Sequence, residues 1–158
     1  MTMASAVAQL NIGQLLHPID HPETAGFADN TARVNAVAER AAGFVWRCQD
    51  EGSTLAAEGI DLYDGDPCAL ATLSAWASPA DLDNFVHQTV HGAFLKRRQS
   101  WFRKQDHKTY VIWPIATGHI PSFREGLGRL AALEADGPTD AAYDFNYMRH
   151  KLRAEASK

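Results

Sequence analysis

Apolar and polar residues alternate along the first ordered stretch of the chain. Ala8, Leu10 and Ile12 fall on one side, and Val7, Gln9, Asn11 and Gly13 on the other. This two-residue period predicts a half-buried strand over 6–14. The two prolines between His17 and Glu23 impose a loop. A wider period follows, with Phe27, Ala28, Ala32, Val34, Val37 and Ala38 forming an imperfect stripe that Gly43 ends, which predicts a helix over 24–42. Phe44 to Gln49 reads as a second strand, and Glu51 to Pro67, rich in Gly and Asp, as an irregular excursion.

The segment ALATLSAW, from Ala69 to Trp76, is a third strand. Ser78-Pro79 opens the next helix, since Ser caps well and Pro is favoured at the first helical position. That helix carries Leu82, Phe85 and Val86 and runs towards Trp101, bending near Gly92. A fourth strand spans Thr109 to Ile115. Ser122 with Glu125 forms a capping box for a third helix, which Asp136-Gly137-Pro138 closes. Ala141 to Tyr147 is expected to be a short fifth strand, and the polar tail 148–158 to fray.

The predicted class is α+β: a ferredoxin-like βαββαβ order with a C-terminal helix and strand. It forms a single domain over 1–158 with its core in 6–147. Helices are expected on one face of an antiparallel sheet, so the other face must meet water, another sheet or a ligand. Gln9, Asn11, Thr72 and Ser74 give a semi-polar face suited to a cavity wall. From the second strand, either Arg47 and Gln49 or Phe44, Trp46 and Cys48 join it, and parity alone does not choose. The plain alternative is an amphipathic sheet with a wet face.

Composition narrows the partners. The 158 residues carry a net charge of −4, with 46% hydrophobic and 22% charged residues. Without a global basic field, nucleic acid is not the expected partner. No apolar run is long enough for a membrane span, and the N-terminus lacks the basic segment of a secretory leader. Cys48 and Cys68 lack Cys-x-x-Cys spacing and read as reduced, partly buried thiols in a cytoplasmic protein.

The densest chemistry lies in FVHQTVHGAFLKRRQSWF, from Phe85 to Phe102. His87 and His91 share one side of a helix at i and i+4. Phe94, Arg98 and Trp101 fall within about 40° of His87 on a wheel of 100° per residue. An imidazole here suits a haem ligand, one arm of a metal site, or a general base; the plain alternative is a pair of local hydrogen-bonding residues. Arg98 is placed to clamp an anion bidentately, against the plainer role of a solvated helix face. Trp46, Trp76, Trp101 and Trp113 read first as packing groups. His17, Asp20, His21 and Glu23 form a ligand-rich loop suited to weak metal binding. His119 fits a turn. No phosphate loop, nucleophile elbow or zinc-protease helix is present.

Four segments carry a family resemblance: AQLNIGQL, RVNAVAERAAGFVWR, LSAWASPADLDNFVHQTVHGAFLKRRQSWF and YVIWPIATGHIPSFREGLGRLAALEADGP. Together, from about Val7 to Tyr147, they resemble the bacterial domain of unknown function 3291 family, itself similar to the dimeric α/β barrel superfamily of antibiotic-biosynthesis monooxygenases. The resemblance implies a homodimer of ferredoxin-like protomers packed sheet to sheet, with a pocket in each. It implies a small-molecule ligand and monooxygenase-type oxidoreductase chemistry, either cofactor-free or haem-dependent. It places a family histidine at His91, making that residue the catalytic candidate and, with haem, the iron ligand. Asn11, Trp46, Arg47, His87, Arg98 and Trp101 are then the substrate-binding set. The fold hosts many chemistries, so a non-catalytic binding module and a His-based isomerase or cyclase stand as alternatives. Cys48 departs from the pattern, where an apolar residue such as leucine is expected.

Overall fold

A computed structural model describes residues 5–89 and 100–157. Strand β1 (Val7–Gln14) leads through a short 3-10 turn (Pro22–Thr24) into α1 (Ala25–Arg40). Then come β2 (Phe44–Arg47), α2 (Glu51–Ala57), β3 (Ala69–Trp76), α3 (Pro79–Thr89) and β4 (Tyr110–Pro114). Helices α4 (Phe123–Asp136) and α5 (Phe145–Ala156) complete the chain. The four strands form one antiparallel sheet in the order β2-β3-β1-β4, which is the ferredoxin-like arrangement. The expected bend near Gly92 lies outside the described residues.

The strict alternation in β1 divides the interior into two layers. Ala8 and Leu10 lie with Leu73, Ala75, Val111 and Trp113 on one face. Leu55 of α2 and Phe123, Leu130 and Leu133 of α4 pack against them. Val7 lies on the other face with Trp76 and Ile112, under Ala38 of α1, Leu82 of α3 and Met148 of α5. Helices thus cover both faces, where sequence patterning anticipates one, and the additional cover comes from α4 and from α2. Among the described residues, no helix is long and apolar enough to cross a membrane.

Three segments differ from expectation. Glu51 to Pro67 is not irregular throughout. Asp50 accepts from the Ser53 amide at 3.1 Å and its hydroxyl at 2.9 Å, capping α2, whose Leu55 reaches the core. The glycines at 52 and 59 disguise that helix in the sequence. The anticipated fifth strand shrinks to two isolated bridges, Tyr143 opposite Ile112 and Ala142 opposite Thr139, because Asp144 caps a helix by accepting from Tyr147 N–H at 2.9 Å. The tail is that helix, α5, and it is anchored by the fully buried Met148.

Ser122 caps α4 as expected, accepting from Glu125 N–H at 3.0 Å. The Glu125 carboxylate does not return to the cap. It accepts from the buried Trp113 indole at 2.8 Å and pairs with His119 at 2.7 Å, tying α4 to β4. Burial pushes the Glu125 pKa up, but the hydrogen bonds from His119 and Trp113 outweigh it and hold the group below its ordinary value.

Two outcomes follow from this packing. A Cβ on Gly126 would stand 2.9 Å from the Trp113 ring and 3.1 Å from Leu10 Cδ2. Gly126→Val is therefore expected to cost about 1–3 kcal/mol of stability by overpacking, read from urea unfolding. Because the folded pKa of Glu125 is depressed, its contribution is complete above the ordinary glutamate value and is lost as pH falls through the folded one. Glu125→Gln should lower the urea midpoint at pH 7, and the gap to wild type should close on acidification. A gap independent of pH would refute the assignment.

Candidate functional site

Register builds the site. Gln9 stands opposite Ser74 and Asn11 opposite Thr72 across the β1–β3 ladder, so two polar rungs lie on one face. Asn11 Nδ2 and Thr72 Oγ1 are 3.4 Å apart. An irregularity between Phe44 and Trp46 breaks the alternation of β2. Phe44 and Arg47 consequently meet this face, while Trp46 and Cys48 pack with the apolar cluster on the other.

Above the polar rungs lies a cavity of about 610 Å³. Helix α1 walls it with Phe27, Thr31, Val34, Asn35 and Ala38, spaced as one helical face. Helix α3 contributes Phe85, Val86 and His87, and α5 contributes Phe145, Asn146 and Arg149. Aromatic contacts fix the walls: Trp76 stacks on Phe85 at 4.8 Å and meets Phe44 edge-on at 5.5 Å. The Trp76 indole donates to Ser74 Oγ at 3.1 Å. At one end Gly13 admits the Phe102 ring, 3.1 Å from where a Cβ would sit.

Both arginines at the cavity are paired. Arg47 Nε donates to Glu39 at 2.8 Å, and Arg149 Nε donates to Asp83 at 2.8 Å while its guanidinium lies 5.3 Å over Phe145. Asp83 Oδ1 also stands 3.9 Å from His87 Nε2. One carboxylate thus links a cationic group on α5 with an imidazole on α3. Tyr110 lines the cavity and accepts from Phe145 N–H at 3.0 Å. Burial raises its pKa, with that hydrogen bond pulling the other way, so the phenol stays protonated at neutral pH.

Of the residues singled out from sequence, Asn11, Arg47 and His87 come together on this cavity. Trp46 does not, for the reason given by the β2 irregularity. Trp101 is buried behind the wall, edge-on to Phe27 at 5.6 Å. His91 and Arg98 lie outside the described residues. Sequence reasoning missed Phe145, assigned to a fifth strand, and Arg149, assigned to a fraying tail. The signal was present in Asp144 followed by Phe145, Met148 and Leu152 at helical spacing.

A family model described as Domain of unknown function (DUF3291) matches residues 6–157. No curated protein matches the chain. Among solved structures, a protein of unknown function from Nitrosomonas europaea, NE2512, is similar at 12% identity and a TM-score of 0.49, covering 76% of this chain and 98% of that one. SnoaB, a cofactor-independent oxygenase from Streptomyces nogalater, is similar at 14% identity and a TM-score of 0.44, covering 75% of this chain and all of that one.

The Asp83 link between α3 and α5 has a measurable consequence. Asp83→Asn should cost about 1–2 kcal/mol by weakening a charge-assisted hydrogen bond. It should also speed amide hydrogen exchange in α5 relative to α4. Unchanged exchange in α5 would show that the pair does not hold the helix.

Proposed function

This chain belongs to the domain of unknown function 3291 family, and from that premise we propose that it binds a small, flat, largely apolar organic molecule bearing hydrogen-bonding oxygen atoms. The carrying observation is the cavity of about 610 Å³ with aromatic walls over a floor of Gln9, Asn11, Thr72 and Ser74. Its size is that of a small-molecule site. The walls suit a ring, and the amides and hydroxyls suit carbonyl or hydroxyl oxygens.

The finer reading is monooxygenase-type oxidation of that ligand without a cofactor. What supports it is His87 on the cavity with Asp83 beside it. In this reading the imidazole accepts a proton from a phenolic hydroxyl, and molecular oxygen adds to the ring of the resulting anion, which supplies the electrons; the hydroperoxide then loses water, leaving one oxygen atom on the ring as a quinone carbonyl. Asn11 and Thr72 orient the ring, and the apolar walls exclude water. Haem does not fit the described lining: a polar floor would lie against an apolar macrocycle, and both Arg47 and Arg149 already hold carboxylates. The expected iron ligand, His91, lies outside the described residues.

The protein is a homodimer in this reading; because helices cover both sheet faces, its contact is at the sheet edge rather than the sheet-to-sheet packing that the barrel resemblance implies. The short edge strand β2, with Val45 exposed, offers a sheet edge for such an assembly. The free, buried Cys48 and Cys68 are in keeping with a cytoplasmic setting.

Incubation with a panel of phenolic and quinone-like compounds tests the reading, with oxygen uptake and product mass as readouts. The expected result is saturable binding, oxygen consumption and a heavier, oxygenated product. His87→Ala should lower turnover by about 100-fold or more, with a much smaller change in affinity. Binding without oxygen uptake would leave a non-catalytic binding module, and an unchanged product mass an isomerase or cyclase. A hemin Soret shift that His91→Ala abolishes would replace the cofactor-free reading with a haem one. Light scattering is expected to give twice the 17.4 kDa chain mass.

A further inference from the structure

The loop joining β1 to α1 gathers donors that the cavity does not use. His17, His21 and Glu23 each offer one ligand atom, and these atoms all lie within 4.8 Å of one another. Among the described residues no other group of three or more His, Cys, Asp or Glu converges in this way. The two imidazoles stack at 4.3 Å with 14° between their planes, and His17 Nε2 contacts the Glu23 carboxylate at 2.7 Å.

The backbone holds these side chains together. His21 N–H donates to Pro18 O and Thr24 N–H to His21 O, both at 2.9 Å. Thr24 is buried, and its hydroxyl stands 3.4 Å from His17 O. On the other side, Leu16 N–H donates to Trp101 O at 2.7 Å. Pro22 fixes the chain between the second histidine and the glutamate. The loop is therefore braced at both ends, so much of the ordering cost of assembling three ligands is already met by folding.

We propose that His17, His21 and Glu23 form a site for a borderline divalent transition metal, with zinc as its representative. Two imidazole nitrogens and one carboxylate oxygen are the donors such ions take, with the fourth position left to water. Calcium and magnesium demand oxygen-rich shells, and this loop does not supply one. The nitrogens are suitably placed. His21 Nδ1 accepts from Glu23 N–H at 3.1 Å, so that nitrogen carries a lone pair rather than a proton. The amide that a metal would displace is exposed and turns to water. At His17 the metal takes the place of the Nε2–carboxylate contact with Glu23, and bonds of about 2.0–2.2 Å require the two stacked imidazoles to turn out of parallel so that both nitrogens face the ion. The site precedes α1, whose Phe27 is a cavity wall, so metal binding would stiffen that wall from its N-terminal end.

Calorimetric titration of the chelator-stripped, full-length protein with zinc chloride tests the proposal independently of any catalytic reading. One zinc per chain is expected, with magnesium chloride giving no heat of binding. His17→Ala, His21→Ala and Glu23→Gln should each weaken zinc by about tenfold or more. His119→Ala, on a separate turn and paired with Glu125, should bind as wild type. Circular dichroism of each variant establishes that the loop changes leave the fold intact, and His17→Gln repeats the test with a bulkier side chain. Absence of zinc uptake, or uptake that survives both His17→Ala and His21→Ala, would overturn the site.

Discussion

The register between β1 and β3 governs the rest of the molecule. With Gln9 opposite Ser74 and Asn11 opposite Thr72, these four polar side chains fall on one face while Ala8, Leu10, Leu73 and Ala75 fall on the other. A slip of one residue would exchange the faces. Such a slip of β1 would bury its two amides under α4 and turn Leu10 into the cavity. The apolar layer resists this, because Leu10 is fully buried and Leu73 nearly so, against Trp113 and Phe123. The core that stabilises the fold and the polarity of the cavity floor are two sides of one pairing decision.

Covering both faces changes what that sheet can do. The apolar face is closed by α4, which lies close enough for Gly126 to touch the Trp113 ring and Leu10. Glu125 then locks the helix to β4 through the indole of Trp113. On the other face, helices rest on Phe44 of β2, Ile112 of β4 and Trp76 at the end of β3, while the middle of the sheet carries short polar side chains that cannot fill the space to α1. The cavity follows from that difference in side-chain reach. Aromatic groups hold the helices off the sheet, and Asn11, Thr72 and Ser74 leave the gap beneath them.

Much of this was legible where local pattern and tertiary packing agree. β1 and β3 alternate cleanly, and Ser122 announces α4. Legibility failed at β2, where an irregularity puts Phe44 and Arg47 on one face although their spacing is odd, and sends Trp46 to the other. No count of parity detects a bulge, since its cause lies in the partner strand. It failed again at α5, because a charged composition masked three apolar residues at helical spacing, and a helix this polar is stabilised by its contacts rather than by its propensity. Hence Asn11, Arg47 and His87 were within reach of sequence reasoning, whereas Phe145 and Arg149 required the fold.

The polarity of the cavity constrains its occupant more than its size does. Arg47 and Arg149 each have a carboxylate at 2.8 Å, so neither presents an uncompensated charge that an anion alone would satisfy. The floor is different. Asn11 and Thr72 meet each other only at 3.4 Å, a long contact, and Gln9 faces the same space. A wholly apolar ligand would strip water from these groups and return nothing, at a cost of about 1–3 kcal/mol for each group left unpaired. A ligand with oxygens spaced along one edge of a ring recovers that cost while its faces rest on Phe44, Phe85 and Trp76. The selectivity of the cavity therefore arises from the β1–β3 rungs, and the aromatic walls supply the larger share of affinity.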